Sequence, residues 1–204
     1  MSDPVRLLAI SDLVGLDESG TVRRANALLD LIDPRVVVFG VRDHDASVGR
    51  RVALARALIA VARPRGARVI VHDRVDVAHA VEADGVQLGE RSIDAAGARA
   101  ILGKGAWIGR SCHDEAGLRA AMAEGADAVT LSPLFVSPGK GAPLGLERFA
   151  RLRAGVPQLD VLALGGVDPN NAGDALAAGA TGLAMIRAWL IADLRAWTPV
   201  FARL

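Results

Sequence analysis

Val161-Leu162-Ala163-Leu164-Gly165-Gly166-Val167-Asp168-Pro169-Asn170 is a short apolar run that ends in two glycines and passes into a helix start. Such a run, bounded by glycine, reads as a buried strand. The glycines let backbone N–H groups come close to an anion, and Asp168 with Pro169 supplies an N-cap and a first-turn residue for the next helix. A second strand-to-helix junction follows at once in Gly182-Leu183-Ala184-Met185-Ile186-Arg187-Ala188-Trp189. In an eight-fold βα barrel the last two junctions often hold one phosphate between them. Glycines at strand ends are also ordinary turn punctuation, so the rest of the chain must decide.

Working outward, short apolar or β-branched runs alternate with longer helical patterns. The strands expected are Leu7–Ser11, Val36–Val41, Val69–Val71, Gly85–Leu88, Trp107–Ser111, Ala128–Leu131, Val161–Leu164 and Gly182–Met185. The helices expected between and after them are Thr21–Ile32, Ser47–Ala62, Asp76–Glu82, Asp94–Leu102, Asp114–Glu124, Leu146–Leu152, Asn170–Ala178 and Ala188–Leu194. Three later units share a small rhyme where a helix ends and a strand begins: Glu82-Ala83-Asp84-Gly85-Val86, Glu124-Gly125-Ala126-Asp127-Ala128-Val129 and Ala178-Gly179-Ala180-Thr181-Gly182-Leu183. Repeated turns of one design argue for repeated βα units around a closed parallel sheet. The fold class expected is α/β, a single-domain (β/α)8 TIM barrel over residues 1–204, with a doubly wound open sheet as the alternative.

Composition excludes several function classes. A net charge of +1 sets up no broad basic field, and with no Tyr, four Phe and three Trp there is little for bases to stack on, so no nucleic-acid partner is expected. No apolar stretch reaches the roughly 18 residues of a membrane span, because Arg56 interrupts the long run from Val52 to Ala62. Met1-Ser2-Asp3-Pro4 does not resemble a signal peptide, and a lone cysteine, Cys112, excludes an internal disulfide framework. A cytoplasmic enzyme is expected.

In a barrel, function lies where the strands end at their C-terminal side. The residues there are polar: Ser11 and Asp12; Arg42, Asp43 and His44; His72, Asp73 and Arg74; Gly89, Glu90 and Arg91; Arg110, Ser111 and His113; Ser132 and the loop to Lys140; Gly165 and Gly166; and Arg187. Three of the four histidines fall in this set. Of 24 Lys plus Arg only Lys104 and Lys140 are lysines, so arginine is the default cation. A lysine in Ser137-Pro138-Gly139-Lys140-Gly141 points to a place suited to a compact ammonium on a flexible stem, although Lys104 sits in a similar turn with no chemistry in view. Trp189, Trp197 and Phe201 either cap the barrel or form a patch for a homodimer.

Six segments, taken together and in order, resemble one family. They are His72-Asp73-Arg74-Val75-Asp76-Val77-Ala78, Ala83-Asp84-Gly85-Val86-Gln87-Leu88-Gly89, Gly109-Arg110-Ser111-Cys112-His113, the stretch from Ser132 to Lys140, Leu164-Gly165-Gly166-Val167, and Met185-Ile186-Arg187-Ala188-Trp189. They look like thiamine-phosphate synthase and its sister enzyme, the thiazole tautomerase. The resemblance covers essentially the whole chain and implies a (β/α)8 barrel whose last two βα loops hold the phosphate of a thiazole phosphate.

The two branches demand different chemistry. A synthase joins a pyrimidine diphosphate to thiazole phosphate with loss of diphosphate, which calls for Mg²⁺ carboxylates and cations at the leaving group. Its Gln-Leu-Arg-x-Lys pattern appears here as Gly40-Val41-Arg42-Asp43-His44, its Asn-Asp as His72-Asp73, and its second metal aspartate as Ser92. Arg187 stands where the family resemblance expects a phosphate-holding serine. Each charged contact to a leaving group is worth on the order of 2–4 kcal/mol, so these departures weigh against synthase chemistry. The tautomerase needs no metal, only a proton-transfer group, and the resemblance places its histidine at His113.

The leading expectation is therefore a thiazole tautomerase with no cofactor. It assigns catalysis to His113, Lys140 and Arg42, and substrate or phosphate binding to Gly165, Gly166, Ile186, Arg187, Ser111, Ser137, His44, His72 and Asp73. The alternative is a synthase with an altered diphosphate site, in which Asp73 and Glu90 hold Mg²⁺. A non-catalytic phosphometabolite-binding barrel and an unrelated phosphosugar isomerase stay open as well.

Overall fold

A computed structural model describes residues 4–12, 16–42 and 46–204. Eight strands form a closed barrel in which each pairs with its sequence neighbours and the last returns to the first. They are β1 Leu7–Ile10, β2 Val37–Val41, β3 Arg68–His72, β4 Gly85–Leu88, β5 Trp107–Cys112, β6 Ala128–Leu131, β7 Asp160–Leu164 and β8 Gly182–Met185, all parallel. The expected strands are all present, with ends that move by at most one residue, as hydrogen-bond assignments do. The open-sheet alternative is excluded by the β1–β8 pairing.

Helices on the outside complete the βα units: α1 Glu18–Leu29, α2 Val48–Ala62, α3 Val75–Ala80, α4 Ala95–Leu102, α5 Glu115–Ala123, α6 Gly145–Ala154, α7 Ala172–Ala177 and α8 Arg187–Ile191. Several starts are set locally. The carboxylates of Asp17, Asp94 and Asp114 accept from the N–H of Gly20, Gly97 and Gly117, each a cap worth about 1 kcal/mol. Asp168 departs from expectation. Its carboxylate accepts from the N–H of Asn170 and Asn171 and so closes a turn, and α7 begins only at Ala172. Beyond α8 the chain forms a 3₁₀ turn, Leu194–Trp197, and a short α9, Thr198–Phe201.

Strand side chains alternate between two apolar layers. Leu8, Ile10, Val38, Ile70, Trp107, Ala128, Leu162 and Ala184 fill the barrel, while Leu7, Ala9, Phe39, Val69, Val71 and Leu183 meet the helices. Strands buried on both faces read as continuous apolar runs, which is why they stand out in the sequence without alternation.

The repeated helix-to-strand rhyme has a structural cause at the N-terminal rim. Asp84 N–H donates to Val69 O (2.8 Å) while its carboxylate accepts from Val69 N–H (2.7 Å). Asp127 makes the same pair with Ile108 (2.8 and 2.6 Å), and Thr181 makes it with Val161 (2.9 and 2.8 Å). The residue preceding β4, β6 and β8 thus stitches the start of the odd strand before it.

Trp189 and Trp197 are fully buried and Phe201 nearly so, so they belong to the core and form no exposed patch for a second copy. Trp189 donates its indole N–H to Ile10 O (2.8 Å) and packs at 5.7 Å from Phe39. Arg24 binds Trp189 O and Ala192 O, which satisfies carbonyls at the C-terminal end of α8. Among the described residues no helix is long and apolar enough to cross a membrane.

Candidate active site

The C-terminal ends of the strands enclose a cavity of about 690 Å³, and a smaller one of about 310 Å³ adjoins it. Arg42, Ser137, Lys140, Gly165 and Ile186 wall both. The larger is walled further by His72, Asp73, Glu90, Ser111 and His113; the smaller by Asp12, Gly166 and Arg187. The structure therefore gathers every expected site residue except His44, which lies outside the described residues.

His113 follows the last residue of β5. Its Nδ1 lies 2.6 Å from Ser132 O and 3.4 Å from Ser132 Oγ. A carbonyl can only accept, so Nδ1 carries the proton and the neutral ring keeps its lone pair on Nε2. That nitrogen is 4.0 Å from Glu90 Oε1, and both side chains are open to solvent.

Asp73 follows β3 with φ of 60°, a left-handed conformation that Asp tolerates better than most residues at a cost on the order of 1 kcal/mol. The turn brings its carboxylate under the β4–α4 loop, where Oδ1 accepts from Gly89 N–H (2.8 Å) and from Ser92 Oγ (2.6 Å). Sequence reasoning placed Ser92 at a lost metal position and missed that it orients Asp73. The spacing of three positions beyond Gly89 gave no sign of it, because the partner comes from another strand.

Across β2 and β3, a Cβ on Gly40 would lie 2.6 Å from His72 Nε2, so the imidazole occupies the room that glycine leaves. The glycine on β2 and the histidine on β3 are thus coupled in volume across neighbouring strands. Ser11, fully buried, accepts from Arg42 N–H (2.9 Å) and thereby fixes the residue that follows β2.

The fold requires the glycine pair independently of any anion. Gly165 and Gly166 have φ of 98° and 67°. A Cβ would meet Pro133 Cα at 2.8 Å in the first case and Val136 O at 2.5 Å in the second. The β6–α6 loop runs beside them, with Leu134 N–H donating to Leu164 O and Phe135 N–H to Gly165 O, both at 2.9 Å. The glycines admit that loop, and the loop brings Ser137 and Lys140 to the cavities. Arg187 is exposed and walls the smaller cavity, where Arg42, Lys140 and Arg187 outnumber the one carboxylate, Asp12. Cys112 is adjacent to His113 but buried, which pushes its thiol up to about 12 and leaves it unreactive near neutrality.

A family model described as thiamine monophosphate synthase matches residues 15–189. The chain belongs to the thiamine monophosphate synthase family. It is 44% identical over 156 residues to a putative thiamine-phosphate synthase of Geobacter sulfurreducens, covering 75% of this chain and 72% of that protein. It is 36% identical over 194 residues to the thiamine-phosphate synthase of Roseiflexus sp., covering 92% and 82%. Thiamine phosphate pyrophosphorylase from Pyrococcus furiosus superposes with a TM-score of 0.81 at 28% identity, over 98% of this chain and 94% of that one. These names give no support to the leaning toward the tautomerase branch; they favour the synthase alternative. The family assignment makes this a thiamine-biosynthesis enzyme.

Proposed function

We propose that this chain is a thiamine-phosphate synthase, joining a hydroxymethylpyrimidine diphosphate to a thiazole phosphate. The observation that carries the reading is one pocket in which an oriented carboxylate, Asp73, shares the walls with Arg42 and Lys140. A cavity of about 690 Å³ is of a size to take small heteroaromatic substrates. In the reaction the thiazole nitrogen forms a bond to the pyrimidine methylene carbon, the C–O bond to diphosphate breaks, and its electron pair leaves with the diphosphate. Arg42 and Lys140 take up the charge that develops there. Gly165, Gly166, Ile186 and Arg187 hold the thiazole phosphate, while His72, Ser111 and Ser137 line the space for the rings.

Magnesium usually keeps several waters and binds through one or two carboxylates plus phosphate oxygens. Asp73, oriented by Gly89 and Ser92, fits that habit, with Glu90 the second carboxylate at the pocket. When bound, the ion neutralises charge on the diphosphate.

A second reading, the tautomerase, is favoured by His113 alone: its Nδ1 is tied to Ser132 O, so Nε2 is the basic nitrogen at the cavity. A paired assay separates the two. Mg²⁺-dependent formation of thiamine phosphate from both substrates is expected. No such product at high enzyme concentration, with aromatisation of a thiazole carboxylate phosphate that His113→Asn abolishes, would replace the synthase reading by the tautomerase. Tight thiazole phosphate binding with neither turnover would make the chain a binder.

A further inference from the structure

Beneath His113 the floor of the larger cavity is polar, and the direction of its hydrogen bonds is set by a residue that does not itself reach the cavity. Gln87 on β4 is 1% exposed. Its Nε2 donates to Ser111 Oγ on β5 (3.2 Å) and to Thr130 Oγ1 on β6 (3.3 Å). Ser111 and Thr130 are partners in the β5–β6 ladder, and both line the cavity. Gln87 reaches across β5 because its ladder partner is Gly109: a Cβ there would lie 2.1 Å from Gln87 Oε1.

A hydroxyl that accepts from an amide N–H still has its own proton to give. Among the described residues neither Ser111 nor Thr130 donates to any acceptor; each appears only as the acceptor of Gln87. The reversed amide would leave two buried N–H groups facing Gly109, whereas the observed direction leaves one carbonyl oxygen, Oε1, without a partner. The two hydroxyl protons face the cavity, so among groups closed off from it one orphaned acceptor against two orphaned donors favours the observed direction.

We propose that Gln87 is a positioning residue which, through Gly109, holds the Ser111 and Thr130 hydroxyls as a pair of donors aimed at acceptor atoms of the substrate, a ring nitrogen of a heteroaromatic group among them. The inference rests on the proposed function for the identity of that ring and adds the polarity of the surface that selects it. Such a floor discriminates by chemistry: a ring with a nitrogen lone pair in the plane is taken, and one presenting an N–H or C–H at the same place leaves both donors unpaired. Sites built to hydrogen-bond a substrate reject analogues lacking the partner strongly, because buried groups are then stranded.

The test uses the intact chain with hydroxymethylpyrimidine diphosphate, thiazole phosphate and inorganic phosphate as separate titrants, followed by steady-state kinetics. Gln87→Met keeps the shape and removes the donor. It is expected to weaken one ring substrate about tenfold in KM, the loss of roughly one hydrogen bond's orientation, with kcat changed less than about threefold and inorganic phosphate binding unchanged. Ser111→Ala with Thr130→Val should weaken the same substrate, and adding Gln87→Met to that pair should cost nothing more. A Gln87→Met effect of full size in the background lacking both hydroxyls overturns the proposal, as does a fall in kcat with KM unmoved. If Gln87→Met fails to fold, the hydroxyl variants decide alone: loss of ring binding with phosphate binding intact supports the donor floor, and no loss overturns it. Wild-type protein that binds neither ring compound would instead sink the proposed function, and with it this inference; wild-type binding with indifferent Gln87 and hydroxyl variants sinks the inference only.

Discussion

At the N-terminal rim of the barrel, polar side chains are used up within the protein. Asp84, Asp127 and Thr181 each take the N–H of the neighbouring odd strand, and Arg99 pairs with Asp127 at 2.9 Å besides donating to two carbonyls. At the C-terminal rim, donors and charges remain available. Ser111 and Thr130 keep their hydroxyl protons, and Lys140 has no ion-pair partner among the described residues. The same strands thus end in two ways, one end closed by local hydrogen bonds and the other left incomplete for a ligand. On the proposed function, stability belongs to the first and activity to the second, and four changes test that division.

The largest effect is expected from Lys140→Ala. Losing a cation at the leaving group should lower kcat/KM for coupling about 10²- to 10³-fold, while a melting curve stays near that of the parent because the residue is exposed and has no ion-pair partner among the described residues. A large loss of stability would show that the upper rim is structural after all. Gly166→Ala comes next. Its φ of 67° and the 2.5 Å approach to Val136 O mean that a methyl group must push the β6–α6 loop away, so KM for the thiazole phosphate should rise by roughly tenfold or more. Titration of the variant with thiazole phosphate reads this directly.

Asp127→Ala tests the lower rim. It strands Ile108 N–H and removes the partner of Arg99, so unfolding in urea should report a loss of about 1–3 kcal/mol, with kcat/KM unchanged. Loss of activity without loss of stability would reverse the division. The smallest effect concerns Asp76, whose carboxyl the Arg74 guanidinium holds down to about 2. A depressed carboxyl gives stability that is present above its ordinary value near 4 and disappears as pH falls through about 2. The pair is exposed, so the contribution is under about 1 kcal/mol, and Asp76→Asn should flatten the stability profile only slightly between pH 4 and 2.

Legibility in the sequence followed the same line. The strands, the helix starts at Asp94 and Asp114, and the helix-to-strand rhyme were readable because each depends on residues within a few positions of one another. Asp168 was misread by a short distance, because an Asx turn and an N-cap use the same residue types. The glycine pair was placed correctly, but its cause lies in a loop some thirty positions earlier, beyond any local pattern. Trp189, Trp197 and Phe201 carry no mark in sequence that separates core from contact surface, since aromatic residues serve both.

By itself the sequence determined the eight-fold succession of βα units, the polar character of the strand ends, and the family, because period, punctuation and ordered motifs are properties of the chain. Tertiary structure alone decided which polar groups meet: His113 with Ser132, Asp73 with Ser92, His72 over Gly40, and Gln87 across Gly109 to Ser111 and Thr130. Hydrogen bonds are directional over about 3 Å, and these partners are brought within that range only when separate strands close into a barrel.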